Sequence, residues 1–369
     1  MSWQYLIYFY ALALTFFLSM FLTAVMRRLA FRFDILDHPG ERKVHQEPMP
    51  LMGGVAIVAS FFLVVVVHIA VFRGLRILGD PGYDRELLNF LGESAKIKVS
   101  GILAGALIVF ALGVVDDLKA LSPLTKLVGQ IGAAAVLVGS GLRIEAFIFT
   151  NFWVSVAVTV FWVVMITNSL NFLDNMDGLC GGVSVIAALS FFLAVDPDET
   201  LVRLVLMVFA GAVGGFLYHN LSPARIFMGD AGSMFNGYML ATVGLLGTFH
   251  HATTETPLAI AAPLFALAVP LFDTVTVVYI RWRAGVPLMK GDKRHFSHRL
   301  VDLGMTKRQA VEFIFLVAGV IGLGGALLPQ LTEYDTAIIV AQTVGVFLLI
   351  VLLMNAGKKN IGESAHGEA

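Results

Sequence analysis

The stretch Asn168-Ser-Leu-Asn171-Phe-Leu-Asp174-Asn-Met-Asp177-Gly-Leu179 separates two apolar runs, 152–167 and 179–195, with polar residues that membrane spanning does not explain. Asn168, Asn171, Asp174 and Asp177 recur at intervals of three. A helical continuation of the preceding run carries them down one side until Gly178 ends the turn, which makes a row of oxygen ligands. Carboxylate and amide oxygens suit Mg²⁺ and the hydrogen-bonding edges of a nucleotide, whereas a lipid-facing surface excludes them. A solvated loop with helix-capping Asn and Asp is the competing reading of the stretch taken alone.

The flanks of this stretch set the fold class. Of the 369 residues, 58% are hydrophobic and 14% charged, with a mean hydropathy of +0.84; a soluble domain carries roughly 25% charged residues. The chain therefore reads as an all-α integral membrane protein, a polytopic bundle. Apolar runs of about spanning length lie at 4–26, 51–72, 99–115, 126–140, 152–167, 179–195, 200–217, 231–249, 257–280, 310–328 and 335–355, about eleven in all. They make one membrane domain over 1–356, followed by a polar tail over 357–369.

Charge placement orients the bundle. No basic segment precedes the first run, and Arg27, Arg28 and Arg32 follow it, so it reads as a retained span with its N-terminus outside rather than a signal peptide. With that orientation most Lys and Arg residues, including the basic 281–309 segment and the C-terminal tail, fall on the cytoplasmic side. The net charge of −1 excludes a generally basic nucleic-acid binder, so any anionic ligand must be held by local clusters. The single cysteine, Cys180, sits in an apolar, Gly-rich setting and reads as packing.

The inside segments carry the polar chemistry. Residues 37–54 bring Arg42, Lys43 and His45 beside three prolines, a phosphate site or an ordinary positive-inside loop. The third run ends in Asp116-Asp117, a pair suited to a divalent cation, with Lys126 and Gln130 on the next helix. Acids at a helix C-terminus oppose its dipole, which argues against decoration. In Phe227-Met-Gly-Asp230-Ala-Gly-Ser233, small residues let backbone N–H groups approach a phosphate while Asp230 holds a bridging metal; capping of the helix is the plainer alternative. Asp273, inside the ninth run, needs a partner and reads as structural, and His68 reads as satisfied by a neighbouring helix. The last inside loop sets His295 and His298 beside Arg294 and Arg299, where an anion or lipid headgroups would be met. Outside segments contribute little beyond an alternating, β-rich stretch near 141–149 that suggests a small hairpin. Acids for a metal and bases for phosphates on one side point to phosphoryl transfer at the cytoplasmic membrane surface.

These motifs, in order, resemble the polyprenyl-phosphate N-acetylhexosamine-1-phosphate transferases, the WecA-like branch rather than the muramoyl-pentapeptide branch (MraY). The likeness rests on Arg42-Lys-Val-His45 with Pro50-Leu-Met-Gly-Gly54, Asp116-Asp117, the Asn168 to Gly178 motif, Phe227 to Ser233 and the final His loop, and it covers nearly the whole chain. Ser297 stands where that family commonly has a histidine. The resemblance implies an eleven-span bacterial inner-membrane protein that takes a UDP-N-acetylhexosamine, most simply UDP-GlcNAc, and undecaprenyl phosphate, and it admits a homodimer. It also implies Mg²⁺, with Mn²⁺ as an alternative. In this reading Asp230 is the principal metal ligand, with Asp116 or Asp117 supporting it. Lys126, His295, His298 and Arg299 stabilise phosphate charge, and Asn168, Asn171, Asp174 and Asp177 hold the nucleotide and pyrophosphate. A cation-coupled transporter is the alternative of a different class, but it favours acids at the membrane midplane rather than at one face.

Overall fold

A helix stands at the place of every apolar run in the computed structural model, which describes residues 3–38, 47–77, 93–144, 151–247, 261–287 and 294–367. In chain order these are α1 (Trp3–Arg32), a two-residue antiparallel pair β1 (Leu36–Asp37) and β2 (Met49–Pro50), α2 (Gly53–Ile77), α3 (Glu93–Lys119), α4 (Pro123–Gly139) and α5 (Phe152–Leu173). There follow α6 (Leu179–Ala194), α7 (Thr200–Asn220), α8 (Gly229–Leu246), α9 (Ala262–Ala266), α10 (Ala268–Arg283), α11 (Phe296–Asp302), α12 (Lys307–Leu327) and α13 (Glu333–Gly367). The last helix continues through the boundary at which the polar tail begins.

Seven helices, α1, α2, α3, α5, α7, α12 and α13, are long and apolar enough to cross a membrane, and the chain is a mostly helical, multi-pass membrane protein. The other runs fall short for separate reasons. Helices α4 and α6 are apolar but have only 17 and 16 residues. The 257–280 run is broken into α9 and α10 at Leu267. Helix α8 carries Asp230, Ser233, Asn236 and Thr242 and is not among the seven.

Its polarity is explained by its position. From Ala231 to Val243 every residue of α8 is buried, because α2, α3, α5, α6 and α7 all pack on it. Without a hydrophobic drive between helices in lipid, close approach depends on small residues. Gly113 on α3 lies against the backbone of Asp230 and Ala231, and a Cβ at Gly237 would meet Thr167 Cα at 2.6 Å. The lipid-facing surface is carried by the outer helices, with Phe9, Phe17 and Phe21 of α1 and Leu348, Leu349 and Leu352 of α13 exposed. Only 11% of the spanning window of α13 is buried, so it is held at the periphery.

The helix ends that matter are fixed by local chemistry. Ser122 accepts from the Thr125 N–H at 3.1 Å and Pro123 occupies the first turn, which starts α4 one short turn after α3 ends. Asn151 caps α5, and a reciprocal Thr306/Gln309 capping box starts α12. The hairpin expected near 141–149 is not seen at 141–144, and residues 145–150 lie outside the described residues. Instead Ile144 is tied to α5, its N–H donating to Thr159 Oγ1 at 2.9 Å. Cys180 is fully buried, as its apolar setting predicts. His68 bonds within its own helix, Nδ1 to Val64 O at 2.7 Å, and among the described residues it meets the neighbouring helix through a ring contact to Tyr10.

Candidate active site

The end of α3, the start of α4, the α5–α6 turn, the start of α8 and the start of α11 meet at one end of the bundle. Chain entry into α8 is stitched to the segment that leads into α2: the Phe227 N–H donates to Pro50 O at 2.8 Å, and the Gly53 and Gly54 N–H groups donate to Phe227 O and Met228 O at 3.0 and 2.8 Å. This puts the base of the 37–54 loop beside Asp230. Arg42, Lys43 and His45 themselves lie outside the described residues.

Lys126 stands between two carboxylates. Its Nζ is 2.7 Å from Asp116 Oδ2 and forms a second, short ion pair with Asp230 Oδ2. All three side chains keep some exposure, 22% for Lys126, 12% for Asp116 and 26% for Asp230, so the group is open to a ligand. Two acids already converge on one cation.

Asp117 behaves differently from its neighbour. Its Oδ1 accepts from the Asp230 N–H at 2.7 Å and its Oδ2 from the Ala231 N–H at 3.1 Å, so both oxygens cap the first turn of α8. This revises two expectations. The dipole argument at the C-terminus of α3 is answered because Asp117 meets the positive N-terminal end of another helix. The first N–H groups of α8, expected to cradle a phosphate, are occupied by this carboxylate, which thereby holds the turn that carries Asp230. Gly229 makes the arrangement possible: it has φ +70°, and a Cβ there would lie 2.5 Å from Asp117 Oδ2.

The 168–178 stretch is not a single ligand row. Helix α5 ends at Leu173, with Asp174 as its C-cap, and 174–178 is a turn in which Gly178 takes φ +75°. Asn168 exchanges amide hydrogen bonds with Gln130, its Nδ2 donating to Oε1 at 2.6 Å and its Oδ1 accepting from Nε2 at 3.3 Å. Asn171 Nδ2 donates to Ser233 Oγ at 2.9 Å, and Asp177 Oδ2 accepts from the Ala224 N–H at 3.0 Å. Those three side chains therefore brace α4, α8 and the 221–228 loop. Asp174 is the group of the four left without such a bracing bond. Burial, and then the charges of Asp230, Asp117 and Asp177, push its carboxyl up to about 8.

Helix α11 closes the group. Asp273, fully buried in α10, has the partner it needs: His295 Nδ1 lies 2.8 Å from its Oδ2, and the Phe296 N–H donates to its Oδ1 at 2.6 Å. Ser297 donates to Asn175 Oδ1 at 2.6 Å and so joins α11 to the central turn. Arg299 Nη2 donates to Thr276 Oγ1 at 2.7 Å, while its buried Nε has no hydrogen-bond partner among the described residues. Burial lowers the Arg299 guanidinium from its ordinary value, with Asp273 opposing that shift. His298 lies in the first turn of α11, half-buried. Asn175, Thr276 and Asn220, which accepts from the Gly178 N–H at 3.0 Å, were not singled out by the sequence; Asn175 alone had a signal, its place inside the motif.

Hard oxygen ligands with one neutralising ammonium suit Mg²⁺, which commonly takes one or two carboxylates and completes its shell with phosphate and water. Asp116 and Asp230 fit that requirement. Among the described residues no three acidic or imidazole groups converge on one point.

Residues 99–248 match the family model described as glycosyl transferase family 4. A Bacillus subtilis (strain 168) protein named "Probable undecaprenyl-phosphate N-acetylglucosaminyl 1-phosphate transferase" is 31% identical over 90% of this chain and 86% of its own. The Mycolicibacterium smegmatis "Decaprenyl-phosphate N-acetylglucosaminephosphotransferase" is 32% identical over 91% and 86%. The Escherichia coli O157:H7 "Undecaprenyl-phosphate alpha-N-acetylglucosaminyl 1-phosphate transferase" is 28% identical over 89% and 84%.

Proposed function

Because this chain belongs to glycosyl transferase family 4, among its polyprenyl-phosphate N-acetylglucosamine-1-phosphate transferases, we propose that it transfers GlcNAc-1-phosphate from UDP-GlcNAc to undecaprenyl phosphate. The observation that carries this reading is the Asp116–Lys126–Asp230 group at the mouth of α8, braced by Asp117, with the start of α11 tied to the neighbouring central turn through Ser297 and Asn175. An oxygen of the lipid phosphate bonds to the phosphorus that bears the sugar, and the bridging P–O bond to UMP breaks.

A phosphate monoester has its second pKa near 6, so the acceptor is largely a dianion at neutral pH and needs no strong base. Bringing two anions together is the harder task. Lys126 and the basic side chains of α11 neutralise phosphate oxygens, while Asp117 fixes the first turn of α8 and with it the aim of Asp230. Mg²⁺, or Mn²⁺, held by Asp230 and Asp116 would supply further charge neutralisation on the diphosphate. We favour direct attack over a covalent phospho-enzyme on Asp116 or Asp117, because the acceptor is already ionised and a covalent step would not relieve the charge repulsion. The side-chain pairs of Asn168, Asn171 and Asp177 support a role in shaping the nucleotide subsite rather than ligating the ion.

The charge asymmetry of the loops supports eleven crossings with the N-terminus outside and the site cytoplasmic, in a bacterial inner membrane. Helices α4, α6, α8 and the α9–α10 pair would then make the other four crossings, with α8 enclosed by its neighbours. Labelled UDP-sugars offered with undecaprenyl phosphate and Mg²⁺ to the purified protein test the reading: label should enter the lipid extract from UDP-GlcNAc. Uptake of label into proteoliposomes with no lipid product would instead support a transporter.

A further inference from the structure

Asp273 satisfies two donors at once, and the pairing has a chemical consequence. A carboxylate only accepts, so the His295 nitrogen facing it, Nδ1 at 2.8 Å, must carry a proton. The second oxygen takes the Phe296 N–H at 2.6 Å, which fixes the carboxylate's rotation. Among the described residues no group bonds His295 Nε2, and the His295 side chain keeps 7% of its surface exposed. The ring lies 6.2 Å from Phe172, between Asn171 and Asp174 of the central stretch. One turn along α10, Thr276 holds Arg299 in the same way. One face of α10 thus sets two basic side chains of α11.

We propose that Asp273 is a positioning residue for the transfer reaction, acting through His295 so that Nε2 is the imidazole nitrogen presented to the substrate phosphates. The proposal rests on the transferase reading, and it assigns a task to a residue that lies in a different helix from every motif of the site. A helix cap alone would need only one oxygen, and Asn would serve as well. The imidazole link makes the carboxylate specific. In Asp273→Asn the single carbonyl oxygen goes to the Phe296 N–H, and the amide NH₂ then faces Nδ1, demanding its lone pair. The proton must move to Nε2, which inverts the tautomer.

The test uses the full-length protein in detergent, with ¹⁵N-labelled histidine and His295 assigned by its loss in His295→Gln. On the neutral ring, the wild type should show a protonated Nδ1, and UDP-GlcNAc should shift Nε2 more than Nδ1. Asp273→Asn should show the inverted tautomer and lose about 10–100-fold in kcat, with KM for UDP-GlcNAc moving far less. The double variant Asp273→Asn/His295→Gln should be no slower than His295→Gln alone. A wild-type ring protonated at Nε2 and bare at Nδ1 would overturn the proposal, even if Asp273→Asn does not fold. So would an additive loss in the double variant, or wild-type kcat in Asp273→Asn. If the wild type transfers no sugar from any donor, the transferase reading falls, and the nuclear resonance arm still decides whether Asp273 sets His295.

Discussion

Asp117 reaches across from the last turns of α3 to accept the backbone N–H groups of Asp230 and its neighbour Ala231, at 2.7 and 3.1 Å. The same first turn of α8 thus carries a carboxylate that pairs with Lys126 and N–H groups that are held by another carboxylate. Asp117→Asn should turn an amide NH₂ toward one of those N–H donors. The loss of a hydrogen bond to a charged group is about 1.5–3 kcal/mol. A lowered thermal midpoint together with lost turnover is the expected result; unchanged melting would show that the α8 cap is dispensable.

The chemical route can be tested separately. With direct attack, labelled UMP does not exchange into UDP-GlcNAc when polyprenyl phosphate is rigorously absent. Lipid-independent exchange that persists in delipidated protein and vanishes in Asp117→Asn or Asp116→Asn would establish a phospho-enzyme instead.

A divalent cation held by Asp116 and Asp230, as proposed, would compete with Lys126 for the same two acids. Lys126→Met should therefore bind Mn²⁺ more tightly, read by electron paramagnetic resonance, and yet turn over at least about 100-fold more slowly, because phosphate neutralisation is lost. Asp230→Asn should move both quantities down while the fold is kept. Weaker Mn²⁺ binding in Lys126→Met would remove the metal from the Asp116–Asp230 gap.

Asp174 gives the site a pH signature. Its carboxyl is raised to about 8 from an ordinary 3.8, so at pH 7 the folded protein holds a proton that the unfolded chain has lost. Its contribution to stability is fully present below pH 4, declines as pH rises from there, and is lost through pH 8. A dication bound nearby favours the carboxylate and expels that proton. Metal binding should release protons at pH 7, and apparent affinity should rise toward pH 8 and then level. Calorimetry in two buffers of different ionisation enthalpy measures the release, and a heat independent of buffer would count against it.

Ser297 is fully buried and donates to Asn175. Ser297→His, which installs the residue common at this place in the resembling family, should overpack the junction between α11 and the central turn by about 1–3 kcal/mol. Thermal melting checks the cost. A stabilised variant would mean that the turn has room the structure does not show.

Helix positions were legible in the sequence because apolar runs are local. Each run from 4–26 to 335–355 has its helix, with one of them broken at Leu267. The motif acids were legible as types, since nothing in a lipid-facing helix explains Asp116, Asp117 or Asp230. Their tasks were not. Asp117 and Ala231 are 114 residues apart, Asn168 and Gln130 are 38 apart, and Asp273 and His295 are 22 apart; spacing along the chain carries no trace of such pairings. The expected single helical row is interrupted for a local reason, because the helix stops at Leu173, and three of the four side chains also bond protein partners.

The burial of α8 on all sides bears on how the chain enters the membrane. A segment carrying Asp230, Asn236 and Thr242 is a poor substrate for insertion by its own hydropathy. Helices α2, α3, α5, α6 and α7 all precede it in synthesis, so the polar helix leaves the ribosome when the walls of its slot already exist. Biogenesis then depends on order: a chain in which α8 emerged before α3 would present its acids to lipid with nothing to receive them.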